Sequence, residues 1–128
     1  MTDTQLQRMA QAAAVIRRVV GHDFRCYAPG EWDPQPATAI QQEMQDRARR
    51  TALLILHHDR GEPLCPYVNY DCGEYDKIDA LSDALSEVGL MVEDKTGWWS
   101  GVYEVTPLPK EVSDGTYTGT VVRKRRLH

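Results

Sequence analysis

Seven prolines in three clusters limit how long any regular element of this chain can be. Pro29, Pro34 and Pro36 forbid helix until about Thr38, Pro63 and Pro66 interrupt the middle, and Pro107 and Pro109 close the stretch that follows. Proline lacks the amide proton that a helix interior or a central strand requires, and its ring clashes with the preceding turn. Four proline-free intervals remain, at 1–28, 37–62, 67–106 and 110–128. The hydrophobic period inside each then selects helix or strand.

In the first interval Leu6, Met9, Ala13, Ile16 and Val20 recur at steps of three and four, the spacing that aligns side chains on one helix face. A helix over Thr4–Val20 follows, with Thr4 as its cap and Gly21 as its left-handed stop. Asp23–Tyr27 reads as a short strand and Pro29-Gly30 as a turn. In the second interval Thr38 and Gln41 have capping-box spacing. Ile40, Met44, Ala48, Thr51 and Ile55 predict a buried stripe on a helix that carries His57 and His58 in its last turn and ends at Gly61 and Pro63. Glu43–Arg47 and Asp46–Arg50 are favourable pairs on its outer side.

Leu64–Gly73 is too short for a helix and predicts a strand through Tyr67–Tyr70. The third helix spans about Asp76–Val88, with Asp76 as cap, Ile78, Leu81, Leu85 and Val88 facing the core, and Gly89 as its stop. The period then becomes two. Leu90–Glu93, a turn over 94–97, and Trp98–Thr106 form an antiparallel hairpin, and Asp114-Gly115 turns the chain into a last strand over Thr116–Val122. The expected fold is α+β, three helices packed on one face of a small antiparallel sheet of three to five strands. Residues 1–122 form one domain and 123–128 a short basic tail.

Composition agrees with that size. A chain of 128 residues with 41% apolar side chains can bury one core, and 27% charged residues is near the globular average. Cys26, Cys65 and Cys72 are odd in number and irregular in spacing, which predicts reduced thiols and a cytoplasmic setting. Asp3, Arg17 and Arg18 break any targeting segment at the N-terminus, and no run of 18 apolar residues offers a membrane span.

Net charge is −4, but its distribution matters more. From Glu62 to Asp94 nine acidic residues (Glu62, Asp71, Glu74, Asp76, Asp79, Asp83, Glu87, Glu93, Asp94) face the single cation Lys77. Residues 123–126 are all basic, while 1–58 carry seven basic and six acidic groups. The chain is acidic in the middle and basic at the end.

Motifs for catalysis do not emerge. His57, His58, Cys65 and Cys72 lack the close pairs that let one loop deliver two ligands to a metal, so no metal and no cofactor is expected. Cys72 precedes a helix, but Asp71, Glu74 and Asp76 oppose its thiolate. The carboxylates show no spacing that singles out an acid/base pair. No glycine-rich phosphate loop, nucleophile elbow or zinc-protease helix occurs, and no enzyme is predicted.

Residues 78–99, IDALSDALSEVGLMVEDKTGWW, resemble the helix–glycine–strand tail of cysteinyl-tRNA synthetases. That likeness implies a helix stop followed by an acidic strand; none of the synthetase's catalytic motifs accompanies it. The order of three helices and a hairpin is also similar to a winged helix-turn-helix, which implies DNA reading through the third helix. Charge opposes this, since Asp76, Asp79, Asp83 and Glu87 form one acidic stripe on that helix and repel phosphates. Nucleic acid is left with weak contact through the basic tail.

The stripe reads either as a solvated outer face or as a surface aimed at a basic protein partner. Carboxylates one helical turn apart lie about 5–6 Å from each other, close to the spacing of successive phosphates. Trp98 and Trp99 are adjacent in a predicted strand and should face opposite ways, leaving one ring outward unless the tail or a second subunit covers it. Tyr67, Tyr70, Tyr75 and Tyr103 add aromatic surface. The expectation is a non-catalytic protein-binding module that uses Asp76, Asp79, Asp83, Glu87, Trp98, Trp99 and Tyr103. Inhibitors carried by phage and mobile elements are frequently small acidic proteins of this kind, acting on nucleic-acid-handling host proteins. A winged-helix regulator and an enzyme with an unrecognised site are the alternatives.

Overall fold

The computed structural model describes residues 2–105. Four helices, α1 (Asp3–Val20), α2 (Ala39–Thr51), α3 (Cys65–Val68) and α4 (Tyr75–Ser86), accompany four strands, β1 (Arg25–Tyr27), β2 (Leu54–His57), β3 (Leu90–Asp94) and β4 (Trp99–Glu104). The strands form one antiparallel sheet in the order β1-β2-β4-β3, an α+β fold. The predicted turn at Asp114-Gly115, the strand over 116–122 and the basic tail lie outside the described residues. Among the described residues no helix is long and apolar enough to cross a membrane.

The sheet has two covered faces, and alternation along the strands sorts the side chains between them. Leu54, Leu56, Leu90 and Val102 join Ala12, Val15, Ile16 and Val20 of α1 and Leu81 and Leu85 of α4 in the larger core. Ile55 and Trp99 point the other way and meet Trp32 and Ala48, with Met44, Tyr27 and Trp98 packed around them. The prediction of three helices on one face therefore needs correction. α1 and α4 share a face, and α2 covers the opposite one.

α1 starts one residue earlier than its periodicity predicts. The Thr2 hydroxyl accepts the Gln5 amide proton and the Gln5 side chain answers the Thr2 amide, so the cap is Thr2 rather than Thr4. Leu6, one turn in, is 51% exposed. α2 is capped by Thr38 as predicted, but it stops at Thr51 instead of running on to His58. The run Leu53–Leu56 is apolar at every position, which suits a strand buried on both faces as well as a helix. Pairing with β1 and β4 decides for the strand. α2 then buries Gln45 and Ala48, while Ile40, expected inside, is 73% exposed.

Between β2 and α4 the predicted strand over Tyr67–Tyr70 is replaced by α3 and a 3₁₀ turn at Tyr70–Cys72. α4 carries Glu74 at its N-cap, so Asp76 falls in the first turn, where its charge still complements the helix dipole. Ile78, Leu81 and Leu85 are buried and Val88 packs against the same core, as the sequence predicts. Gly89 at φ 76° makes the left-handed stop. The β3–β4 hairpin follows, with Met91 opposite Tyr103 and Val92 opposite Val102.

Leu81 and Leu85 are fully buried. Leu81→Ala or Leu85→Ala should cost roughly 2–5 kcal/mol in denaturant unfolding. Leu6→Ala and Ile40→Ala should stay within about 0.5 kcal/mol. The reverse ranking contradicts the two-core assignment.

Candidate functional site

α4 lies against the larger core through Leu81 and Leu85, with Ile78 also buried, so its outer side is presented to solvent. Asp76, Asp79 and Asp83 occupy that side, Glu87 sits at the C-cap, and all four are exposed. Among the described residues none of them forms a salt bridge. No basic residue stands in the last turn. Asp83 and Glu87 therefore meet the negative end of the helix dipole, an unfavourable placement. Partial relief comes from α1, whose Arg8 guanidinium donates to the Val88 carbonyl at 3.0 Å and to Glu104 at 2.9 Å.

Two tyrosines stand at the other end of the stripe. Tyr70, in the 3₁₀ turn, is 58% exposed, and Tyr75, the first residue of α4, is 59% exposed. Their ring centroids are 6.4 Å apart. Tyr75, Asp79 and Asp83 succeed one another at steps of four, so one ring and two carboxylates share a helix face. This spacing is visible in the sequence, but exposure is not.

The tryptophans are occupied elsewhere. Trp99 is 1% exposed, with its ring centroid 4.6 Å from Trp32 and 6.2 Å from Trp98. Trp98 is half-buried in the same cluster and packs edge-on to His57 at 5.1 Å. The expected division of the two rings between opposite faces does not occur. Trp98 precedes β4 and lies in the bend before it, where strand alternation does not apply. Trp32, from the proline-rich loop, is the core residue that sequence periodicity could not reveal; its indole N–H donates to His57 Nε2 at 2.8 Å. Tyr103 folds back over Gly101, where an added Cβ would come within 2.6 Å of its hydroxyl. Trp98, Trp99 and Tyr103 thus belong to the α2 side of the sheet, and the acidic stripe belongs to the α4 side. The structure does not bring the two predicted surfaces together.

A serine, a histidine and an aspartate do meet at one end of the sheet. His58 Nε2 lies 2.7 Å from Ser100 Oγ, which lies 3.5 Å from Asp94 Oδ1. A nucleophilic serine needs open approach to its oxygen and a carboxylate on the far nitrogen of the histidine. Here His58 and Ser100 are wholly buried, Asp94 meets the serine, and His58 Nδ1 has no partner among the described residues. The arrangement is a polar chain, buried at His58 and Ser100 and open to solvent at Asp94, that links β2, β4 and β3. Cys65 and Cys72 come within 3.7 Å of each other. Among the described residues no three His, Cys, Asp or Glu side chains gather as a metal site, and His57 faces the aromatic cluster instead.

No protein-family model matches this chain, and neither the curated proteins nor the solved structures contain a match to it.

Burial pushes the Asp94 carboxyl up to about 6, against the pull of the Ser100 hydroxyl and with a small push from Asp71. Between about 3.8 and about 6 the folded chain holds a proton that the unfolded chain has released. Stability from this group therefore falls as pH rises through that window. Burial lowers His58 below 6.5, so its contribution runs oppositely and is lost on acidification. Asp94→Asn should raise Tm at pH 8, where the wild-type carboxylate is charged, and the gain should fade as pH falls toward 4. A gain independent of pH in thermal melts would show that Asp94 is not held in a desolvated site.

Proposed function

We propose that this chain is a protein-binding module whose contact surface is the outer side of α4, for a partner that presents a basic groove. One observation carries the reading: four exposed carboxylates, unpaired among the described residues, adjoin two exposed tyrosine rings. Exposed charge steers a basic partner into encounter, and aromatic rings that become desolvated on docking hold it there. Carboxylates spaced one helical turn apart match phosphates closely enough for a nucleic-acid-handling protein to be the partner type. Arginine side chains of such a groove can stack on the faces of Tyr70 and Tyr75. The anchors are these tyrosines rather than Trp98, Trp99 and Tyr103, because those three rings are at least half-buried in packing of their own.

The winged-helix reading needs α4 to lie against phosphates, and its carboxylates oppose that approach. The enzyme reading would rest on the Asp94–Ser100–His58 chain, and solvent does not reach Ser100 or His58.

With a partner captured by the chain, Asp79→Lys with Asp83→Lys should lower the association rate at least tenfold at low salt, and the deficit should shrink as salt rises. Folding stability should change by about 0.5 kcal/mol or less. Tyr75→Ala should instead accelerate dissociation and depend little on salt. Surface-plasmon kinetics over a salt series separates the two effects. Unchanged rates in both variants would reduce the stripe to a solvated face.

A further inference from the structure

We propose that Cys65 and Cys72 form a dithiol site that a peroxide converts to an intrachain disulfide. The two sulfurs are 3.7 Å apart and belong to consecutive short elements, α3 and the 3₁₀ turn. Asn69 fixes both ends of that arrangement. Its side-chain amide donates to Cys65 Sγ at 3.8 Å, while its oxygen accepts the Asp71 amide proton at 2.9 Å and so sets the turn that carries Cys72. A disulfide needs the sulfurs at about 2.0 Å, an approach of under 2 Å that rotation of one side chain can supply. Both cysteines border a cleft of about 410 Å³ that also includes His22, Glu62, Tyr67 and Lys77, so a small reagent has a route to the pair.

The two thiols differ in access. Cys72 is exposed and Cys65 is buried, which makes Cys72 the sulfur that meets the oxidant and Cys65 the one that resolves it. Burial pushes the Cys65 thiol up, in keeping with the second role. Asp71 and Glu74 flank Cys72 and repel anionic oxidants such as glutathione disulfide, whereas hydrogen peroxide is uncharged. The Cys72 sulfur attacks one peroxide oxygen, the O–O bond breaks, and hydroxide leaves with the Cys72 proton as water, giving a sulfenic acid. Cys65 sulfur then attacks the Cys72 sulfur, the S–O bond breaks, and the released hydroxide takes the Cys65 proton. Two thiols and one peroxide thus become one disulfide and two waters, with two electrons passing from sulfur to oxygen. Cys26 sits half-buried on β1 and does not line the cleft.

The test treats the full, fully reduced chain with hydrogen peroxide, alkylates the remaining thiols and measures intact mass and a peptide map. The expected result is a loss of about 2 Da before alkylation. One alkylated residue, Cys26, should remain, and cleavage after Tyr67 or Tyr70 should leave the two cysteine peptides joined. Three unreacted thiols, a Cys72 sulfinic acid beside an alkylatable Cys65, or a crosslink through Cys26 each overturns the proposal. None of these outcomes depends on whether α4 binds a partner.

Discussion

β2 is the constraint on which the rest of the structure depends. Four residues, Leu54 to His57, pair with β1 on one side and β4 on the other. Their alternation hands Leu54 and Leu56 to the core under α1 and α4, and Ile55 and His57 to the aromatic core under α2. A strand hydrogen-bonded along both edges and covered on both faces cannot slip by one residue without exchanging the two cores. α2 must end early enough to let this strand enter the sheet, and Trp32 must fold in from its loop to close the second face. The His58–Ser100–Asp94 chain then ties the end of β2 to β4 and β3.

That dependence explains which parts of the fold were legible in the sequence. α1 and α4 carry clear helical periods and end at glycines, the β3–β4 hairpin carries a period of two, and each appears where its pattern places it, to within two residues. β2 is apolar at nearly every position, so its period could not distinguish the end of a helix from a doubly covered strand. Only long-range pairing resolves it. Trp32 was illegible for another reason. It lies among Pro29, Pro34 and Pro36, where no period exists, and its burial depends on a strand that local pattern did not identify.

The candidate surface was half legible. The stripe of Asp76, Asp79, Asp83 and Glu87 followed from helical spacing alone, and all four residues are exposed. For the aromatic half, strand alternation over the adjacent tryptophans predicts one outward ring. Trp98 falls in a bend just ahead of β4 and turns into the same cluster as Trp99. The aromatic rings that do reach solvent beside the stripe are Tyr70 and Tyr75, delivered by a turn and a helix start. Like charges along one face, with two of them at the negative end of a helix dipole, work against stability.

Tyr70 and Tyr75 are the exposed rings beside the stripe, whereas Trp32 and Trp99 are buried and Trp98 is packed against them. Hydroxyl-radical footprinting of the isolated chain, read by peptide mass spectrometry, tests this assignment without any partner. Tyr70 and Tyr75 should be modified rapidly and Trp98 more slowly, with Trp32 and Trp99 protected. Trp99 modified as fast as Tyr75 contradicts it, because the second core and the contact surface would then both be misplaced.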